Sequence, residues 1–263
     1  MSSWLDLSNP LILSSCPFEI NERISLFGAV TTKTVTEYPI IGDCLFNSIG
    51  DGGYINRWGL QNNGIDDFLF KDFNTVKTYN DKIIISVLAW YKDQCLRILD
   101  KINKIDKDKI VAVELNVSCP NTKSIEDIGW IKEVKNYTDF PVTVKFGVEH
   151  SVETVASFSD FIDGITILNT IPGAAKVYDK LIYGGISGRL LKPITMRYLS
   201  KLVLDYKIDI PVIAVGGVTS YKDVVDYIDC GASAVGIASV FLNNPGIIES
   251  ILIDYFSYRD DTL

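Results

Sequence analysis

The chain has 263 residues, 47% hydrophobic and 22% charged, a balance that excludes a disordered polypeptide. Its 33 acidic and 25 basic residues give a net charge of −8, which excludes a nucleic-acid partner held through a basic surface. Apolar runs stop at strand length, short of the ~18–20 residues that cross a bilayer, and residues 1–16, MSSWLDLSNPLILSSC, lack the basic flank of a secretory signal or membrane anchor, so a cytoplasmic protein without a membrane partner is expected.

One closed eight-fold α/β barrel, typically of ~250 residues, suits this length better than one sandwich or two domains, and residues 1–263 are read as a single domain. Short β-branched runs recur in chain order: PLILSS (10–15), FGAVTTKT (27–34), KIIISVLA (82–89), IVAVELNVS (110–118), PVTVKFGV (141–148), GITILNT (164–170), IPVIAVGGV (210–218) and SAVGIAS (233–239). Between several of them lie segments with helical apolar spacing, at 93–105, 151–161, 194–206, 221–230 and 245–256. The alternation reads as parallel βα units, and strands apolar on both faces fit a barrel wrapped by helices, a (β/α)8 TIM barrel. Ser151, Ser220 with Asp223, and Pro245 with Gly246 mark helix starts. Residues 38–64, rich in glycine and asparagine and without helical period, interrupt the pattern after the second strand and are read as a cover over a ligand.

The five cysteines, Cys16, Cys44, Cys95, Cys119 and Cys230, are widely spaced with no CxxC pair, which argues against a disulfide framework and against a structural metal site. The single histidine, His150, lies at a helix start and reads as an exposed or capping residue; no mechanism with two imidazoles is open to the chain.

Parallel strands bring their C-terminal ends to one rim. The first carries Ser14, Ser15 and Cys16, the second Thr32, Lys33 and Thr34, and the fourth Asn116, Ser118, Cys119 and, just beyond, Asn121. The fifth carries Lys145, the sixth Asn169 and Thr170, the seventh Gly216 and Gly217, and the eighth Ala238 and Ser239. Lys145 inside an apolar strand needs an anion, supplied by a ligand or by a structural ion pair. Glycine-bearing turns at 183–190, 214–220 and 235–241 suit backbone N–H contacts to a phosphate, for which barrels use the ends of strands seven and eight.

The segments ELNVSCPNT, TTKTVT, INRWGLQNNG, VTVKFGV, ITILNT, GGISGRLLKP and VIAVGGV, in order from about residue 9 to 245, together resemble the dihydroorotate dehydrogenase family, of the soluble cysteine-base class. The resemblance implies an FMN-containing barrel that oxidises dihydroorotate to orotate in pyrimidine synthesis. Cys119 would be the base that takes a proton from C5 while C6 gives hydride to flavin N5. Lys33 would act between substrate and flavin. Asn56, Asn116, Asn121, Asn169 and Thr170 would hold the pyrimidine ring and carboxylate, with Trp58, Gly59 and Leu60 closing over it. Lys145 would lie by flavin N1 and O2, with Ser15, Cys16, Lys33 and Asn116 near the ring. Ser187, Gly188, Gly216, Gly217, Ala238 and Ser239 would hold the phosphate. As partners it implies a homodimer, or an assembly with an FAD/iron–sulfur subunit; the final electron acceptor stays open between NAD through that subunit, fumarate and another soluble oxidant. This chain departs from the family pattern in a shorter 122–130 segment, in Cys16 and Ala238 where glycines are usual, and in bulky Trp58. A Schiff-base lyase or isomerase using Lys145, and a non-catalytic barrel, are the alternative readings.

Overall fold

The computed structural model describes residues 3–119, 125 and 127–262. Eight short parallel strands close a barrel: β1 (Leu11–Leu13), β2 (Ala29–Thr31), β5 (Ile83–Val87), β6 (Ile110–Asn116), β7 (Val142–Phe146), β8 (Gly164–Ile167), β11 (Val212–Val215) and β12 (Ala234–Ile237). They coincide with the eight β-branched runs. Because side chains alternate along a strand, one set points inward. Ile12, Ala29, Ile84, Ala112, Ile213, Val215 and Ala234 form an inner cluster, and Trp4, Leu5 and Leu7 pack against it. Trp4 Nε1 donates to Asp163 O at 2.9 Å, fixing the chain start there. The outward set, including Leu11, Leu13, Val30, Ile83 and Ile85, belongs to the larger core shared with the helices.

The helix Lys92–Asn103 buries Cys95, Ile98, Leu99 and Ile102, one helical stripe; each fully buried aliphatic side chain is worth roughly 1.5–3 kcal/mol. Tyr221–Asp229 begins with the capping box of Ser220 and Asp223 that the sequence indicates, and Ser151 accepts from Thr154 N to start Val152–Ala156. That helix is shorter than the expected 151–161, because the chain leaves it in successive turns to reach β8. His150 is neither exposed nor a cap: it stands edge-on to Phe146 at 5.4 Å between ring centroids, and burial lowers its pKa against the pull of Glu149. Among the described residues no helix is long and apolar enough to cross a membrane.

A second sheet has four antiparallel strands, in the order Leu45–Gly50, Gly53–Arg57, Lys180–Gly188, Ile171–Val177, and it corrects one expectation. Residues 38–64 contain the hairpin of β3 (Leu45–Gly50) and β4 (Gly53–Arg57). The segment 183–190 is not a glycine turn but the end of strand β10 (Lys180–Gly188), paired with β9 (Ile171–Val177). Its glycines serve strand packing: a Cβ on Gly185 would lie 2.3 Å from Thr170 Oγ1. The β9–β10 turn falls at Tyr178 and Asp179, both with positive φ, without the Asn-Gly signature that reveals such turns.

Candidate active site

A cavity of about 1240 Å³, open mouth included, lies at the rim formed by the C-terminal strand ends, with part of the second sheet as its wall. Parallel register brings the rim residues together: Asn116 on β6 pairs with Lys145 on β7, and Lys145 with Thr166 on β8. The second sheet adds Phe46, Tyr54, Asn56 and Ser187, and Phe46 stacks on Tyr54 at 5.1 Å.

The cavity is lined by Ser15, Cys16, Lys33, Asn56, Trp58, Leu60, Asn116, Cys119, Lys145, Asn169, Thr170, Ser187, Gly188, Gly216, Gly217, Ala238 and Ser239. Thus all but two of the residues given a role by the family resemblance meet at one place. Gly59 is not part of the wall; it makes the bend between Trp58 and Leu60, with φ of 61° and no room for a Cβ against Gly42. Asn121 lies outside the described residues, as do residues 122–124 and 126 of the short segment that follows it.

Lys33 and Lys145 are the only charged side chains that line the cavity among the described residues. Lys145 is 5% exposed and has no hydrogen-bond or ion-pair partner among them, so no structural ion pair is found for it among the described residues. An ammonium taken from water unpaired is costly, so the site is prepared for an anion. Burial lowers the pKa of Lys33, with Cys44, Asp72 and Cys16 pulling the other way. Burial pushes the Cys16 thiol up to about 12 despite Lys145 and Lys33, leaving it protonated. Cys119, by contrast, is only partly buried at the end of β6.

The asparagines are partly satisfied by one another. Asn169 Nδ2 donates to Asn116 Oδ1 at 3.1 Å and to Ser118 Oγ at 3.2 Å, and Asn116 Nδ2 donates to Thr34 Oγ1 at 3.0 Å. Ser118 Oγ donates to Lys145 O at 3.0 Å, tying β6 to β7. Asn56 Nδ2 donates to Gly185 O at 3.0 Å, which holds the second sheet's residue at the rim. These bonds fix the amides in place before any ligand arrives.

At the other end of the cavity, Gly216 and Gly217 follow β11 with φ of 130° and 74°; a Cβ on Gly217 would lie 2.6 Å from Lys192 N. Sequence reasoning missed the residues that brace this turn. Tyr227 Oη donates to Gly216 O at 2.6 Å and Thr195 Oγ1 to Val215 O at 3.1 Å. Lys192 Nζ reaches Asp223 Oδ1 at 2.5 Å and Asp226 Oδ2 at 2.6 Å. Burial pushes the Asp223 carboxyl up, but Lys192, Thr219 and Ser220 outweigh it and hold it below its usual range. Only the capping pattern at Ser220 and Asp223 pointed there. Glu114, also missed, lies buried inside the barrel and accepts from Ser86 and Thr166; nothing in VAVELNVS marks it apart from a charge within an apolar strand.

The family model for dihydroorotate dehydrogenase matches residues 4–255. The chain is 30% identical to the dihydroorotate dehydrogenase B (NAD(+)) catalytic subunit of Staphylococcus carnosus, over 94% of this chain and 88% of that one. It is 33% identical to the subunit of the same name from Thermotoga petrophila, over 94% and 96%. A crystal structure of the Eimeria tenella enzyme in complex with ferulenol superposes with a TM-score of 0.72 at 18% identity, covering 95% of this chain and 83% of that one; this last likeness bears on the fold alone.

Proposed function

The chain belongs to the dihydroorotate dehydrogenase family, and on that premise we propose that it oxidises (S)-dihydroorotate to orotate in pyrimidine (UMP) synthesis, with FMN in the rim cavity. The observation that carries this reading is the buried, unpartnered Lys145 in a cavity whose only charged lining residues, among those described, are lysines, in a chain of net charge −8. Such a site suits two anions, a flavin phosphate and a pyrimidine carboxylate. The residues present fit a flavin: tight glycines at Gly216 and Gly217 leave backbone free to approach a phosphate, with Ser187, Gly188, Ala238 and Ser239 beside them.

Bound FMN would supply the hydride acceptor. Cys119 takes the C5 proton, the C6–H bond gives up its hydride, and a C5=C6 double bond forms in the product. Of the two cavity thiols, Cys16 is held protonated by burial, which leaves Cys119 as the base. A thiol of ordinary pKa ~8.5 becomes a usable base beside cations, and Lys33 and Lys145 share its cavity. Lys145 would also offset negative charge on a reduced flavin, and Lys33 would act between flavin and substrate. Asn56, Asn116, Asn169 and Thr170 grip the planar substrate, since each amide offers donor and acceptor; Asn121 is assigned to this set by its motif. Trp58 and Leu60 would cover it, and Ser15, Cys16 and Asn116, which line the cavity, would contact the flavin. A Schiff-base lyase centred on Lys145 would leave Cys119 and the asparagines without a task.

The relatives' name, catalytic subunit, supports a second subunit, which we assign as an FAD/iron–sulfur protein passing electrons to NAD, with this chain as a homodimer in the assembly. The activity is tested by supplying the purified FMN-loaded chain with dihydroorotate and an artificial dye acceptor, and measuring orotate by chromatography. Orotate formation that depends on added protein supports the reading. Its absence with FMN demonstrably bound overturns it.

A further inference from the structure

Glu114 is 2% exposed inside the barrel, beneath the cavity, on the strand that carries Asn116. It accepts from Ser86 Oγ at 3.0 Å and Thr166 Oγ1 at 2.9 Å and has no cationic partner among the described residues. From Ser86 a chain of hydroxyls runs to the cavity wall: Ser86 Oγ lies 2.9 Å from Thr34 Oγ1, which lies 2.9 Å from Ser15 Oγ. Distances alone do not say which hydroxyl donates. Counting protons does.

Ser86 Oγ and Thr166 Oγ1 are the donors to the two Glu114 oxygens, and each hydroxyl has one proton to give. Ser86 spends its proton on Glu114, so in the next contact Thr34 donates to Ser86. The contacts at the opposite end are compatible with this sense. Thr170 N donates to Asn169 Oδ1 at 2.8 Å, which makes Asn169 Nδ2 the donor to Asn116 Oδ1 and turns Asn116 Nδ2 toward Thr34 Oγ1. Thr34, its proton already committed, accepts from Asn116 and from Ser15. Ser15 Oγ also accepts from Thr34 N at 3.0 Å. Its proton therefore points into the wall, and a lone pair remains for the cavity that it lines.

We propose that Glu114 is a positioning residue that sets the sense of this hydroxyl chain, so that Ser15 meets the cavity as a hydrogen-bond acceptor and selects a ring that offers an N–H. A glutamine at 114 can instead donate to Ser86 while accepting from Thr166. Each proton along the chain then moves over by one contact, and Ser15 turns its own proton into the cavity. Donor would face donor, and recognition of the N–H would be lost.

The inference rests on FMN occupying the cavity. Its test is equilibrium binding of oxidised and of dithionite-reduced FMN to the wild-type chain, Ser15→Ala, Glu114→Gln and the double variant. Glu114→Gln is expected to weaken at least one redox form about tenfold, the equivalent of ~1.4 kcal/mol, and to add less than about twofold once Ser15 is alanine, the coupling that a double-mutant cycle isolates. Additive effects in both forms overturn the proposal while FMN binding itself stands. Failure of the wild-type chain to bind either form overturns the cofactor assignment, and this inference with it. If Glu114→Gln does not fold, Ser86→Ala cuts the same chain one link nearer the cavity and must show the same dependence on Ser15; independence from Ser15 overturns the proposal equally.

Discussion

Replacing Lys145 by methionine separates the two accounts of a lysine in the barrel strand. The side chain is 5% exposed, lines the cavity and has no anionic partner among the described residues, so without FMN none of them offsets its charge. An unbranched apolar side chain of similar length removes that cost. By analogy with buried charges exchanged for apolar residues, the FMN-free protein should gain about 1–3 kcal/mol. Flavin binding should lose a charge-assisted contact of about 1.5–3 kcal/mol, roughly ten- to a hundredfold in Kd. The assays are urea unfolding of FMN-free Lys145→Met and fluorescence titration with FMN. A less stable FMN-free variant with unchanged FMN affinity would refute the reasoning, since it would mean that Lys145 serves the fold and not the ligand.

Cys119→Ser should keep FMN bound while slowing its reduction by dihydroorotate at neutral pH by ~10²–10⁴, the usual worth of a positioned base; stopped-flow absorbance checks this, and an unchanged rate removes Cys119 from that role. Gly217→Ala should weaken FMN binding and cost about 1–2 kcal/mol of stability, because L residues resist left-handed backbone and its Cβ would lie 2.6 Å from Lys192 N; both follow from the same titration and unfolding experiments. The Asp223 carboxyl is held below its usual range in the folded chain, so its contribution is present above the unfolded pKa of ~3.9 and fades as pH falls through the lower folded value. The stability gap between wild type and Asp223→Asn should therefore be about 0.5–2 kcal/mol at pH 7 and shrink toward pH 3, as measured by denaturant unfolding across that range.

The barrel was legible because each of its strands is buried on both faces, so runs such as IIISV and VTVKF leave no doubt about their setting. The rim residues were legible for the same reason: a parallel strand ends where its apolar run ends, and Cys119 or Lys145 stands out against Val and Ile. The second sheet was not. Residues of β9 alternate between partly buried and exposed, its turn uses Tyr178 and Asp179, and glycines that looked like loop formers in β10 permit close packing against Asn56 and Thr170. Glu114, Lys192 and Tyr227 act through tertiary contacts from distant segments, which no local pattern announces.

An anaerobic single turnover tests the central claim most directly. The FMN-loaded chain is mixed with one equivalent of dihydroorotate in the absence of any acceptor, and flavin absorbance and orotate are followed together. Bleaching of the flavin with one orotate formed per flavin reduced is the predicted result. A flavin that stays oxidised while the substrate is recovered unchanged would contradict it.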